Sequence, residues 1–213
     1  MRALGAQLIE HGYDFQEARE HAAALAGEQG LEMVPSFHPL LVTGVATYAF
    51  EFLSAAPALD VVYVPIGLGS GICGMLAARD ALGLATEVVG VVSAHATAYA
   101  ESFAARTPVE SPAATRLADG MACRVVEPAA LALMLAGVER MVEVTDAEVG
   151  AAMALLYECT HNLAEGAGAA AVAAASREAG RIAGRRVGVV LSGANVDRAV
   201  FARVLAAAAP GAE

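Results

Sequence analysis

Residues 61–74 read VVYVPIGLGSGICG, and this stretch limits the fold more than any other. Its first five residues are apolar or aromatic throughout, so a strand built from them has no face to leave in water. Such a strand belongs inside a parallel sheet covered by helices on both sides. The glycines end the strand, and the apolar residues after them continue at helical spacing. The unit is therefore strand, turn, helix. It recurs along the chain. Glu87–Val92 precedes a helix containing Tyr99 and Phe103. Arg140–Val144 precedes a helix capped by Thr145, with Glu148 three residues on. Arg186–Leu191 precedes a last helix from about Asp197. The expected class is α/β, a parallel sheet flanked by helices.

The other segments fill in around this frame. Residues 4–10 and Leu31–Val34 read as short strands, separated by a helix that Asp14 caps and that runs to about Glu28. Helices are expected over Leu40–Leu53, Gly71–Leu82 and Leu163–Glu178, with a shorter one opened by Pro128. Residues 105–122 are irregular, as active or mobile segments often are. The first strand and helix imply a sheet whose other strands do not follow in the sequence.

The formal net charge of −10 argues against a nucleic-acid partner. No apolar run reaches the roughly 18 residues of a membrane helix, and MRALGAQLIEHG has no signal-peptide core. Cys73, Cys123 and Cys159 are too few and too scattered for a disulfide framework or a zinc site. These features suit a cytoplasmic protein. All 13 basic residues are arginine. With no lysine in the sequence, chemistry that needs a side-chain primary amine must draw it from elsewhere.

Three clusters carry chemistry. Gly69-Ser-Gly71-Ile-Cys-Gly74 fits the dinucleotide pattern G-x-G-x-x-G after a strand. That pattern also needs a carboxylate about 20 residues on, to hold a ribose hydroxyl. The residues there are Ser93, Ala94 and His95. A P-loop is excluded, because no Gly-Lys-Ser/Thr triplet is present. What remains is an anion, most simply a phosphate, held by backbone N–H groups at a helix N-terminus. The plain alternative is a tight turn with no ligand. VGVVLSGANVD, 187–197, places Ser192 and Asn195 where strands present residues to the crevice at their C-terminal ends; a simple helix cap by Asn195 or Asp197 is the alternative. HNLAEGAGAAAV, 161–172, sets Glu165 in an alanine-rich stretch. A buried carboxylate needs a partner, whereas one in the first turn of a helix only favours the dipole.

Taken in order, PIGLGSGICG, TRLADGMA, HNLAEGAGAA and LSGANVD resemble the serine/threonine dehydratases. These are tryptophan synthase β-like, fold type II enzymes that use pyridoxal 5′-phosphate. The resemblance covers nearly the whole chain, which is similar to the C-terminal portion of such an enzyme. It implies a remnant of the small domain over 1–38 and a large cofactor-binding domain over 39–213. It implies that Gly67, Leu68, Gly69, Ser70 and Gly71 hold the cofactor phosphate. Ser192 would meet the pyridine nitrogen. Glu165 and Gly120 would lie on the cofactor side, and Ser36 near a position where relatives often carry an asparagine.

Two departures matter. The family's Ser-x-Lys-x-Arg-Gly segment and its substrate-carboxylate loop are absent, so no catalytic residue is assigned, and Met1 reads as an internal methionine of a longer enzyme. Ser93 stands near a metal-binding glutamate of many relatives, so no metal is carried over. The family reaction removes water and then ammonia from threonine or serine to give a 2-oxo acid. The chain is thus expected to be inactive alone: a truncated portion, or one half of a split enzyme completed by an N-terminal chain. The alternatives are a non-catalytic subunit that docks on a partner and, less favoured, a nicotinamide-dinucleotide module. Partners are a hydroxy amino acid and a homo-oligomer or complementing chain, with no nucleic acid and no membrane.

Overall fold

The computed structural model describes residues 1–56 and 58–208. Two units separate by their internal contacts, Met1–Ser36 and the remainder from Phe37.

The first unit holds a 3-10 turn, Arg2–Leu4, and one helix, α1 (Phe15–Gln29). The Asp14 carboxylate caps α1 by accepting the Glu17 N–H at 2.9 Å, and Glu17 reaches back to the Tyr13 N–H at 2.8 Å. The strands expected over 4–10 and 31–34 do not form. After the 3-10 turn, residues 6–11 and 31–35 have no regular structure. A strand exists only by pairing, and neither segment finds a ladder partner among the described residues. Ile9, Leu31, Met33 and Val34 consequently stay exposed.

The second unit is built on four parallel strands: β1 (Val61–Pro65), β2 (Glu87–Ser93), β3 (Arg140–Val144) and β4 (Val187–Val189), in the order β3-β2-β1-β4. Val61 pairs with Glu87 on one side and Val187 on the other, and Val89 pairs with Arg140. Strand alternation divides the core in two. Val62, Val64, Val88 and Val92 pack with α2 (Pro39–Ala55), α3 (Ser70–Ala81), α4 (Ala98–Ala105) and α5 (Pro128–Gly137). Val61, Tyr63, Val89 and Val91 pack with α6 (Asp146–Thr160), α7 (Gly166–Arg177) and α8 (Arg198–Ala208). Both faces of β1 and β2 are therefore buried, as their composition requires.

Helix boundaries follow local chemistry. Thr145 and Glu148 form the full capping box that opens α6. His161, at φ 57°, ends it. The alanine-rich helix opens at Gly166 instead of Leu163, because Glu165 is its extended N-cap. The last strand is only Val187–Val189, at the edge of the sheet, with β1 as its single neighbour among the described residues. At the start of β3, Arg140 donates to Glu178 at 2.5 Å, and Tyr63 donates to the same carboxylate oxygen. Among the described residues no helix is long and apolar enough to cross a membrane.

Candidate functional site

Parallel pairing of β1 with β4 brings the C-terminal ends of the two strands side by side. Such an edge is where open α/β sheets bind ligands. Here Pro65, Ser70 and Gly71 from the first strand–turn–helix unit meet Val190, Leu191 and Ser192 from the last. Together with Val45 and Tyr48 of α2 they line a cavity of about 400 Å³.

The glycine turn has a fixed shape. Ile66 donates its N–H to the Val91 carbonyl at 2.8 Å. The Leu68 carbonyl accepts from the Tyr99 hydroxyl at 2.6 Å, and that hydroxyl accepts the Glu127 N–H at 3.0 Å. Burial pushes the Tyr99 phenol well above its ordinary pKa, so it stays a donor. Gly69 has φ 105°, where a side chain is strained, and a Cβ there would come within 2.6 Å of the Met134 methyl. A Cβ on Gly67 would sit 2.5 Å from the Gly120 carbonyl oxygen.

Gly71 differs. A Cβ built on it meets nothing within 4 Å, so packing does not demand glycine there. The N-terminus of α3 has no side-chain cap, and its N-cap is Gly69. Its first-turn N–H groups therefore face the open side, where the helix dipole favours an anion. The Ser70 and Ser192 hydroxyls have no partner among the described residues. Tyr48 donates to the Gly71 carbonyl at 3.2 Å, and burial raises its pKa to about 12. An uncapped helix start, two unengaged hydroxyls and a roomy polar-edged cavity suit a small phosphate ester with an attached ring.

Glu165 and Gly120 support this edge without lining the cavity. Glu165 is spent on the turn after β4: its carboxylate accepts the Asn195 N–H at 2.9 Å, and its own N–H donates to the Gly193 carbonyl at 3.1 Å. The start of α7 approaches so closely that a Cβ on Gly168 would collide with the Gly193 carbonyl, and one on Gly166 with the Leu117 carbonyl. Gly120 packs on Ala167 and on the Gly67 turn. The four motifs thus form one continuous contact chain. Ser36 closes the first unit in a bend, half-buried, and is described with that unit alone. Ser93 is buried and accepts the His95 N–H at 3.1 Å. No cluster suited to a metal ion occurs among the described residues.

Sequence reasoning missed Tyr48 and Tyr99. With only five tyrosines in the chain, each tyrosine inside an alanine-rich apolar helix was the available signal.

A family model described as pyridoxal-phosphate dependent enzyme matches residues 1–193. The chain is 36% identical over 208 residues to phenylserine dehydratase of Ralstonia pickettii, covering 96% of this chain and 63% of that protein. It is 31% identical over 205 residues to L-threonine ammonia-lyase of Thermotoga maritima, covering 96% and 51%. Against the biosynthetic L-threonine dehydratase of Salmonella typhimurium the identity is 32%, covering 92% of this chain and 39% of that protein. The chain therefore spans about two fifths to two thirds of the length of these relatives. Among solved structures, processed threonine deaminase isoform 2 of Solanum lycopersicum superposes with a TM-score of 0.87 at 28% identity, covering 95% of this chain and 60% of that one. Maize serine racemase shares the fold, with a TM-score of 0.85 at 22% identity, covering 95% and 63%. By sequence match and by fold, the chain belongs to the pyridoxal-phosphate dependent enzyme family of fold type II.

Proposed function

We propose that this chain carries the cofactor cradle of a threonine/serine dehydratase-type enzyme, acting on a small hydroxy amino acid. The observation that carries this is the shared cavity of Ser70, Gly71 and Ser192 at the uncapped start of α3. The backbone of residues 67–71 would hold the phosphate and the Ser192 hydroxyl the ring nitrogen. When bound, pyridoxal phosphate supplies the electron sink for removal of the α-proton and loss of the β-hydroxyl.

The chain's own residues bind and orient. The N–H groups at the α3 start offset the phosphate charge without a cationic side chain, which suits a chain of net charge −10. Ser192 offers a hydroxyl in place of a carboxylate, so a ring nitrogen held there would stay largely unprotonated. That favours elimination over chemistry that needs a full electron sink. Glu165 fixes the Ser192–Asn195 turn through the Asn195 N–H. Tyr99 holds the Leu68 carbonyl away from the phosphate side.

None of the 213 residues is lysine. The amine that ties the cofactor to the protein, and that moves the α-proton, would come from a complementing segment or chain. Ring and phosphate would therefore be held by this chain through non-covalent contacts. The test supplies pyridoxal phosphate and L-threonine to the purified chain and follows 2-oxobutyrate. Cofactor binding without 2-oxobutyrate supports the reading. Turnover by the lysine-free chain at an ordinary enzymatic rate overturns the borrowed amine, and a chain that binds no pyridoxal phosphate overturns the cradle.

A further inference from the structure

A second cavity, about 520 Å³, lies on the other face of the sheet, between α6 and α8. The two helices run antiparallel. Tyr157 near the end of α6 meets Phe201 near the start of α8, ring centroids 5.5 Å apart and edge to face. At the other end the helices carry small residues, Ala147, Gly150 and Ala151 against Ala207, so the groove between them stays open. Leu117, Val200 and Val204 supply its apolar floor.

The mouth of this cavity is charged. Arg116 and Arg203 both line it. Neither guanidinium has an acidic partner among the described residues. The single acid at the rim among the described residues, Asp146, is already engaged: its carboxylate accepts the Thr115 hydroxyl at 2.7 Å and the Arg116 N–H at 2.9 Å. In a chain with ten more acids than bases, two arginines without an acidic partner thus line one apolar cavity. A guanidinium pair over a greasy floor fits a carboxylate headgroup on a short aliphatic chain.

We propose that this cavity binds a small aliphatic carboxylate, with Arg116 and Arg203 on the headgroup and the chain against Leu117, Val200 and Val204. The site is separate from the cofactor cradle and shares no lining residue with it; the two are linked only through packing. Leu117 lines the cavity, and its carbonyl is the surface on which Gly166 packs, one residue after Glu165. The Ala118 N–H donates to Thr115, whose hydroxyl is held by Asp146. A ligand on Leu117 therefore braces the 115–120 segment.

Hexanoate is the probe, titrated by calorimetry into the full chain without cofactor, beside hexanol and hexylamine. Hexanoate should bind and raise Tm, while the alcohol and the amine bind at least about tenfold more weakly, since each lacks the charge-assisted contacts. The Arg116→Ala/Arg203→Ala double variant should lose hexanoate by a similar factor at unchanged Tm. Ala151→Leu, which fills the groove, should lose it with the arginines intact. Equal binding of hexanol, or full hexanoate binding by either variant, overturns the proposal. Failure of the cofactor reading would leave these titrations unaffected, because no cofactor is present in them.

Discussion

The hydroxyl of Tyr99 sits 2.6 Å from the carbonyl oxygen of Leu68, and so ties α4 to the turn that opens α3. The Tyr99 hydroxyl also accepts the Glu127 N–H just before α5. One side chain thus satisfies two backbone groups of two different segments. Tyr99→Phe should keep the ring packing and remove both hydrogen bonds, at a cost of about 1–3 kcal/mol. The expected result in a denaturant titration is a lower midpoint at unchanged slope. Cofactor affinity should fall with it. A midpoint equal to wild type would show that water replaces the hydroxyl freely.

The glycines of the turn divide into two kinds. Gly69→Ala introduces a Cβ at φ 105° against Met134 and Ala130, and should cost about 1–3 kcal/mol from backbone strain alone. Gly71→Ala meets open space inside α3. It should leave stability unchanged or raise it by about 0.5–1 kcal/mol, as alanine replaces glycine in a helix. Yet its methyl group stands on the cavity side, so phosphate binding should weaken. Stability and affinity moving in opposite directions in this one variant would mark Gly71 as a ligand position.

Far from the cradle, Glu178 accepts from Arg140 and Tyr63 with little exposure, 17% for its side chain and 15% for that of Arg140. The Arg140 hydrogen bond holds the Glu178 carboxyl below its ordinary range. A depressed carboxylate pKa contributes stability that is present above the ordinary value, about 4.3, and is lost as pH falls through the folded value. Acid unfolding should therefore be shallower in Glu178→Gln, which is already destabilised by about 2–3 kcal/mol at neutral pH. Parallel melting curves from pH 7 down to acid would check both the offset and its convergence. The same phenol gives an alkaline counterpart: Tyr63, pushed up to about 12 mainly by burial, keeps its contribution below about pH 10 and loses it as pH rises toward 12.

Much of this was legible in the sequence, for reasons that differ by element. β1 and β2 show as strands because both of their faces are apolar, and both are buried. The T-x-x-E signal at Thr145 and Glu148 is local, and so is the capping box it forms. Segments 4–10 and 31–34 have strand composition, but a strand needs a ladder partner that no local pattern supplies. β4 is shorter than its apolar run, because only β1 holds it. The cradle's glycines were readable as a turn. Their division into packing positions, Gly67 and Gly69, and an open one, Gly71, was not. It depends on Gly120, Ala130 and Met134, which lie more than fifty residues away. Glu165 was expected beside the cofactor, and the structure shows it fastening the turn that carries Ser192.

The most direct test of the cradle is a paired equilibrium titration of the purified chain with pyridoxal 5′-phosphate and with pyridoxal, followed by cofactor absorbance and fluorescence. With no lysine to bond to, affinity should rest on phosphate and ring contacts. The expected result is reversible, saturable binding of the phosphate ester, displaced by inorganic phosphate and weakened in Gly71→Ala, with pyridoxal weaker by at least about tenfold. Equal affinity for the two compounds, or binding unchanged by phosphate and by the Gly71 variant, would contradict it.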